Sequence, residues 1–472
     1  MRYFSTRGKN NPVSFAKAAL AGLAPDGGLY VPEEIPQLPA SVKSSLGTMA
    51  YADIAFETIK PWVIDDIPPG VLEEMVHSAY PFSAPLVRVG DLLVLELFHG
   101  PTAAFKDFGA RFMARSFSYL RRGEHKPLTI LTATSGDTGG AVADGFYGTE
   151  DIYVTVLYPK GRVSALQEKQ IAGLGKNIRA LAVEGSFDDC QRLVKEAFAD
   201  AELKERLALA SANSINVARL IPQAAYYASA AGRAFAGRVD PDGEATPRAS
   251  GALRGNASAS HVADGGSANH NRSGSYANHG RSGGSAPVIS VPSGNFGNLT
   301  AGLYAYKMGA PIARFIAATN INRTVPDYLE SGKYEARLSQ ATISNAMDVG
   351  APSNFERMSS HFSLEELRHL ITGVSVTDDE TRRTISDVFE KGYFIDPHSA
   401  VGWRAVEKSG LLSATGNLNS IVISTAHPAK FADTDVLCAS APVPPSLRNV
   451  IERKTTSSVI PAELDALKGM LL

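Results

Sequence analysis

The sequence predicts an α/β protein built on mainly parallel sheet, and three observations carry that expectation. From residue 91 onward, short apolar runs alternate with amphipathic helical stretches. The runs are almost continuously apolar, as strands covered on both faces are, rather than alternating apolar and polar. Two Gly-rich turns each follow such a run and open a helix, the strand–loop–helix unit of a layered α/β fold. At 472 residues the chain exceeds one compact core, so two or three structural units are expected.

Residues 1–80 read as a mixed unit. There Asp26-Gly27-Gly28-Leu29-Tyr30-Val31-Pro32 turns into a short strand, and helical patterns follow near 50–60 and 70–80. Strands are then expected at Leu92–Leu97, Leu128–Ala133, Ile152–Tyr158 and Ile178–Val183. The helices between and after them are expected to run from Lys106 to Leu120, Thr138 to Phe146, Val163 to Ala172 and Phe187 to Ala199. Residues 81–237 thus form the first part of a core. From 238 to 285 the chain is Gly, Ser, Ala, Asn and Asp with almost no large apolar residue, and is expected to be a disordered insertion. Its evenly spaced His261, His270 and His279 read either as a solvated loop or as a metal tract. The rhythm resumes at Val288, so residues 286–472 are the second part of the core and the insertion interrupts it.

A formal net charge of -2 and 20% charged residues give no pull toward nucleic acid or anionic membrane. No apolar stretch is long enough to span a bilayer, and the start lacks the apolar segment of a secretory signal. The two cysteines, Cys190 and Cys438, lie far apart and form no CxxC, which fits a reducing cytoplasm and argues against thiolate metal sites.

Chemistry concentrates in three segments. The run His99-Gly100-Pro101-Thr102-Ala103-Ala104-Phe105-Lys106-Asp107-Phe108-Gly109 puts a lysine at the start of an apolar-faced helix. The positive end of a helix and apolar walls both lower a lysine's pKa, and a neutral amine can attack a carbonyl. By itself Lys106 also reads as a surface lysine at a helix start. The second segment is the pair of Gly-rich turns, Thr134-Ser135-Gly136-Asp137-Thr138-Gly139-Gly140 and Ser293-Gly294-Asn295-Phe296-Gly297-Asn298. Neither turn has the GxGxxG or GxxxxGK[ST] pattern, so dinucleotide and nucleoside-triphosphate binding are disfavoured. Each reads as a tight connection or, through free N–H groups at a helix start, as an anion site. Both in one sheet, beside a lysine able to form an imine, would serve a cofactor phosphate and a substrate carboxylate. The third segment, Ile421 to Pro428, is a strand ending in Ser424 and Thr425. A hydroxyl there either caps the strand or hydrogen-bonds a pyridine nitrogen without protonating it.

Together these segments resemble the threonine synthase family of pyridoxal-phosphate enzymes. The resemblance runs through Ser5-Thr6-Arg7-Gly8, Pro25 to Pro32, the Lys106 run, Thr134 to Gly139, Tyr158-Pro159-Lys160-Gly161-Arg162 and Asn213 to Arg219. It continues through the Ser293 turn, Ser353 to Arg357, Asp396-Pro397-His398 and Thr425-Ala426-His427-Pro428. The resemblance implies fold type II, with two parallel-sheet α/β domains, pyridoxal 5'-phosphate between them and a small N-terminal unit. It implies a lyase that turns O-phospho-L-homoserine and water into L-threonine and phosphate. Lys106 would carry the cofactor as a Schiff base and move the protons. Gly294, Asn295, Phe296, Gly297 and Asn298 would cradle the cofactor phosphate, and Thr425 would face its ring nitrogen. Ser135, Gly136, Asp137 and Thr138 would hold the substrate carboxylate, with Asp137 turned toward backbone donors or the substrate amine.

A phosphorylated substrate needs a further cationic pocket, for which Lys160, Arg162, Arg219 (beside Asn213) and Arg357 are the candidates. His398 and His427 read either as proton-transfer groups or as structural histidines. Two alternatives stand beside this reading. One is a phospho-lyase or serine/threonine dehydratase of the same fold, and the other is a non-catalytic anion-binding protein. The expected partner is a small molecule, with no nucleic acid, membrane or metal, and the expected assembly is a monomer or homodimer.

Overall fold

The structure is a computed structural model describing residues 1–241, 248, 284–411 and 419–472. The insertion expected at 238–285, with its three histidines, lies almost wholly outside the described residues.

Three sheets organise the described residues. The N-terminal unit is an antiparallel sheet of β1 (Tyr3–Ser5), β2 (Gly8–Val13) and β3 (Tyr30–Pro32), in the order β2-β1-β3. A six-stranded sheet contains β4 (Leu86–Val89), β5 (Leu92–Glu96), β10 (Val288–Pro292), β11 (Arg314–Thr319), β12 (Ile371–Ser375) and β13 (Ser420–Ser424). Its order is β12-β11-β10-β13-β5-β4, parallel except for the hairpin of β4 with β5. The five-stranded sheet is parallel throughout, in the order β14-β8-β7-β6-β9. It comprises β6 (Leu128–Ala133), β7 (Ile152–Pro159), β8 (Ile178–Glu184), β9 (Ala208–Ser211) and β14 (Ser458–Pro461).

The apolar runs became strands because both faces are covered. All residues of β5, β6, β10 and β13 are buried. Burial of each Val, Leu or Ile side chain contributes about 1.5–3 kcal/mol. Helices lie where the 3.6-residue pattern put them: Lys106–Leu120, Asp137–Phe146, Ala165–Ala172 and Phe187–Ala199. The last two start on capping boxes, at Ser164 with Gln167 and at Ser186 with Asp189, which satisfy the first free N–H groups.

One correction concerns pairing. The Gly-rich turns, expected in one sheet, leave different sheets: the Ser135 turn follows β6 and the Ser293 turn follows β10. The sheets are also shared across the insertion, which was expected to interrupt the core. β4 and β5 join the later strands, while β14, unassigned from sequence, pairs with β8 beside the early ones. A uniformly apolar strand announces its burial but not its neighbour.

Candidate active site

β10, β13 and β5 are adjacent parallel strands, and each ends in a loop of the site. The Ser293 turn follows β10, Thr425 follows β13, and the Lys106 loop follows β5. The Ser135 turn comes from β6 of the other sheet. Converging loops at the carboxyl ends of parallel strands form a natural crevice for a ligand.

The Lys106 loop is held from two sides. Inside it, the buried Asp107 carboxylate accepts from the Thr102 N–H at 2.9 Å and the Thr102 hydroxyl at 2.6 Å. From outside, the Phe105 N–H donates to the Thr425 carbonyl at 2.8 Å and the His427 N–H to the Ala103 carbonyl at 3.0 Å. Ala103 takes a left-handed conformation, φ 53°, uncommon for a residue with a side chain. The chain thereby reverses and presents Lys106 at the helix start.

Lys106 Nζ lies 3.5 Å from Asp137 Oδ2, so the two sheets meet across this contact. Asp137 is expected to face backbone donors or the substrate amine. It instead receives the ammonium of Lys430 on Oδ1 at 2.7 Å and the Gln167 amide at 2.9 Å. Lys430 lies on the 3-10 helix Pro428–Phe431, its side chain wholly buried, and also donates to the Thr102 carbonyl at 2.8 Å. Burial lowers the pKa of Lys106; Asp137 opposes this, while Lys430 and Arg219 reinforce it. Burial alone would raise the Asp137 carboxyl, but Lys430 and Lys106 outweigh it and hold the group well below the usual carboxylate range. Sequence reading missed Lys430; its one signal is a lysine set among apolar neighbours in Pro428-Ala429-Lys430-Phe431.

The Ser135 turn needs its glycine: Gly136 has φ 143°, and a Cβ there would stand 2.4 Å from Gln167 Oε1. Ser135 and Thr138 are half-exposed beside it. Asn213 sits behind the turn, its amide donating to the Ala133 carbonyl at 2.9 Å, so it props the end of β6.

The Ser293 turn is built like an anion cradle. Phe296 is left-handed at φ 59° and opens the helix Gly297–Lys307, whose start carries no side-chain cap, and the first N–H groups of a helix have no partner within it. A Cβ on Gly294 would come within 2.8 Å of the Ala346 carbonyl and of Met347 Cα. Asn295 donates to Ser214 Oγ at 2.6 Å and accepts from the Ser353 N–H at 2.5 Å, fixing the turn. Asn298 accepts from Tyr226 and Tyr227, while its amide nitrogen is buried without a partner. A phosphate group fits this cradle: free N–H donors, an orphaned amide and small residues where backbone must approach.

The four basic candidates separate. Lys160 is exposed and paired with Glu184 at 3.0 Å, and Arg162 is exposed. Arg357 is a correction. It is wholly buried, but its guanidinium is committed to the carbonyls of Tyr30, Ser214 and Ile215 and to Asn354 Oδ1. It ties the N-terminal unit to the core instead of reaching a ligand. Arg219 is 3% exposed, donates to the Ala212 carbonyl at 2.7 Å, and keeps its Nε unpartnered. Burial pushes its pKa down to about 10, and among the described residues no carboxylate pairs with it. Of the four, only Arg219 is buried with a donor to spare.

Both histidines make hydrogen bonds within the fold. His398 accepts from the Ala346 N–H on Nε2 and donates from Nδ1 to Asp396 at 3.0 Å, so both ring nitrogens are engaged. His427 accepts from the Ala429 N–H, and burial, with His99 and Lys430, pushes it down to about 3.

Known proteins carry the same parts throughout. Profiles described as threonine synthase N terminus, pyridoxal-phosphate dependent enzyme and threonine synthase C-terminal match residues 2–80, 81–237 and 399–471. The curated threonine synthase of Escherichia coli strain K12 is 39% identical over 478 residues, covering 100% of this chain and 99% of its own. The chain belongs to the threonine synthase family. Two solved threonine synthases superpose on it. The Escherichia coli enzyme does so with TM-score 0.81 at 38% identity, covering 100% of this chain and 99% of its own. The Brucella melitensis enzyme, solved with pyridoxal phosphate bound, gives 0.82 at 36%, covering 100% and 98%. Like the family, the chain is a pyridoxal-phosphate-dependent lyase of fold type II. A tomato threonine deaminase isoform matches at TM-score 0.53 and 14% identity, which shows shared fold alone.

Proposed function

We propose that the chain converts O-phospho-L-homoserine and water to L-threonine and inorganic phosphate, with Lys106 as the catalytic residue. Lys106 would hold the pyridoxal phosphate covalently, Gly294 to Asn298 would bind its phosphate, and Thr425 would face its ring nitrogen. When bound, the cofactor supplies the electron sink that makes the substrate's α and β protons removable. Ser135, Gly136 and Thr138 hold the substrate carboxylate at the start of the Asp137–Phe146 helix. Lys106, released when the substrate amine takes its place, removes the proton from Cα and then one from Cβ. The Cγ–O bond breaks, phosphate leaves with the bonding pair, and Cγ gains a proton to become the methyl group. Water adds its oxygen to Cβ, Lys106 returns the proton to Cα, and threonine departs.

The observation that carries the phosphorylated substrate is Arg219, a buried guanidinium with a free donor and, among the described residues, no carboxylate paired with it. We read the enzyme as cytoplasmic, a monomer or homodimer with a small-molecule substrate. In support, no helix among the described residues is long and apolar enough to cross a membrane. The test is incubation with O-phospho-L-homoserine while phosphate and threonine are assayed together. Equal release of both is expected, whereas phosphate with 2-oxobutyrate and ammonia in place of threonine would refute the reading. Borohydride reduction and peptide mapping should put the cofactor on Lys106.

A further inference from the structure

Lys430 has no part in the roles above, yet it is the most deeply buried cation of the site. Its side chain has no exposed surface, and three elements fix its position. Its backbone belongs to the 3-10 helix Pro428–Phe431 just beyond β13. Its ammonium donates to the Thr102 carbonyl of the Lys106 loop at 2.8 Å and reaches Asp137 Oδ1 of the facing sheet at 2.7 Å. The Thr102 carbonyl is held in turn by the Gln170 amide at 2.9 Å.

Asp137 therefore serves two ammonium groups unequally. Lys430 and Gln167 occupy Oδ1 at 2.7 and 2.9 Å, and Lys106 stands off Oδ2 at 3.5 Å. Two cations, Lys106 and Lys430, share this one carboxylate, and the charge of Arg219 acts on Lys106 as well. We propose that Lys430 is a positioning residue that takes up the charge of Asp137, so that Lys106 is not trapped beside it as an ammonium. This inference rests on Lys106 being the amine that carries the cofactor. Without Lys430, the full charge of Asp137 would act on Lys106, and the closer ion pair would stabilise the protonated, non-nucleophilic amine. The pair also explains how a carboxylate can occupy the centre of an anion-binding turn: Lys430 and Asp137 together are neutral, as an amide is.

The groups whose charge Lys106 feels are Asp137 from the Asp137–Phe146 helix, Lys430 from the 3-10 helix and Arg219 from the helix Val217–Leu220. Lys430 in turn acts on Asp107 and His427. Of these, only Lys430 both opposes the charge on Lys106 and bonds to the carboxylate that favours it.

The test strips the full chain of cofactor, re-adds pyridoxal phosphate across the pH range, and traps the product with borohydride. Labelling of the Lys106 peptide is read against pH, without any turnover. Lys430→Met should raise the midpoint of labelling by about one pH unit and slow capture at neutral pH about tenfold. Lys430→Arg should stay near wild type, and adding Asp137→Asn to Lys430→Met should return the midpoint to the wild-type value or below. A wild-type midpoint in Lys430→Met, or a double variant as slow as the single, overturns the proposal. Asp137→Asn alone is expected to lower the midpoint. An unchanged or raised value there overturns the proposal even if Lys430→Met does not fold. Label on a peptide other than that of Lys106 would instead refute the assignment of the cofactor lysine.

Discussion

Phe105 donates its backbone N–H to the carbonyl of Thr425 at 2.8 Å, one residue before the proposed catalytic lysine and one residue beyond β13. With the His427 N–H on the Ala103 carbonyl and the bridge of Ala104 to Ala426, this makes a short antiparallel ladder outside the main sheet. Lys106 and Thr425, proposed at opposite ends of one cofactor, are thus set by a single hydrogen-bonded unit. Precision in this site comes from backbone, which side-chain rearrangement leaves undisturbed.

Arg219 and Arg357 are both buried, and their substitution should give opposite signatures. Arg219→Met removes a guanidinium with one protein acceptor and a spare donor. It should raise KM for the phosphorylated substrate about tenfold or more while changing Tm little. Arg357→Met orphans carbonyls on both sides of the join between the N-terminal unit and the core. It should cost about 2–4 kcal/mol of stability, at about 1–3 kcal/mol for a buried group left unpaired. Steady-state kinetics and thermal unfolding of both variants decide this; a KM effect confined to Arg357→Met would reverse the assignment.

Gly136→Ala tests the turn that holds Asp137. The new Cβ meets the Gln167 amide at 2.4 Å, and the backbone is held at φ 143°, where a side chain is strained. Gln167 cannot yield freely, because it closes the Ser164 capping box and donates to Asp137 at 2.9 Å. Destabilisation by about 1–3 kcal/mol is expected, with a raised KM as Asp137 loses its amide partner. Thermal melts and substrate titration measure the two effects separately.

The long buried strands of the first half and the turns of the site were legible, because strand burial and helix periodicity are local properties, whereas short strands such as Ala208–Ser211 and Ser458–Pro461 were not marked. Leu128–Ala133 and Phe187–Ala199 begin and end at the residues their patterns mark. Partnership was not legible. Nothing in Ser458–Pro461 points to β8, and nothing in the Gly-rich turns says that they rise from different sheets. The same limit governed the cations. Arg219 and Arg357 each stand near asparagines in sequence, and only the fold shows one with its donors used and the other with a donor free. Lys430 escaped notice for the complementary reason, that a buried ion pair across 293 residues leaves no spacing to read.

Asp107 should make stability depend on pH. Burial pushes its carboxyl up to about 7, assisted by Asp144 and opposed by the Thr102 donors and Lys430. A folded-state value above the unfolded value of 3.8 favours the native state at low pH. That contribution is complete below the unfolded value and is lost as pH rises through about 7. Asp107→Asn cannot ionise, so its stability relative to wild type should improve across this interval. Urea unfolding of both proteins at several pH values checks it, and a constant difference between the two would contradict the sign.

Asn298 separates the scaffold role of the phosphate turn from its binding role. Its Oδ1 accepts from Tyr226 at 2.6 Å and Tyr227 at 2.8 Å, while its Nδ2 is buried without a partner. Tyr226 can fall back on Gln223 Oε1 at 3.0 Å; Tyr227 has no second acceptor among the described residues. Asn298→Ala should therefore strand the Tyr227 hydroxyl, costing about 1–3 kcal/mol, and weaken cofactor binding by losing one donor. Asn298→Asp keeps both acceptor bonds but replaces the free donor with an oxygen that repels a phosphate. Its cofactor-free form should be the more stable of the two variants, and its affinity for pyridoxal phosphate the lower, by tenfold or more. Melting curves of the cofactor-free chains and titration with pyridoxal phosphate give the two rankings. If Asn298→Asp bound the cofactor more tightly than Asn298→Ala, the cofactor phosphate would have to lie elsewhere than at this helix start.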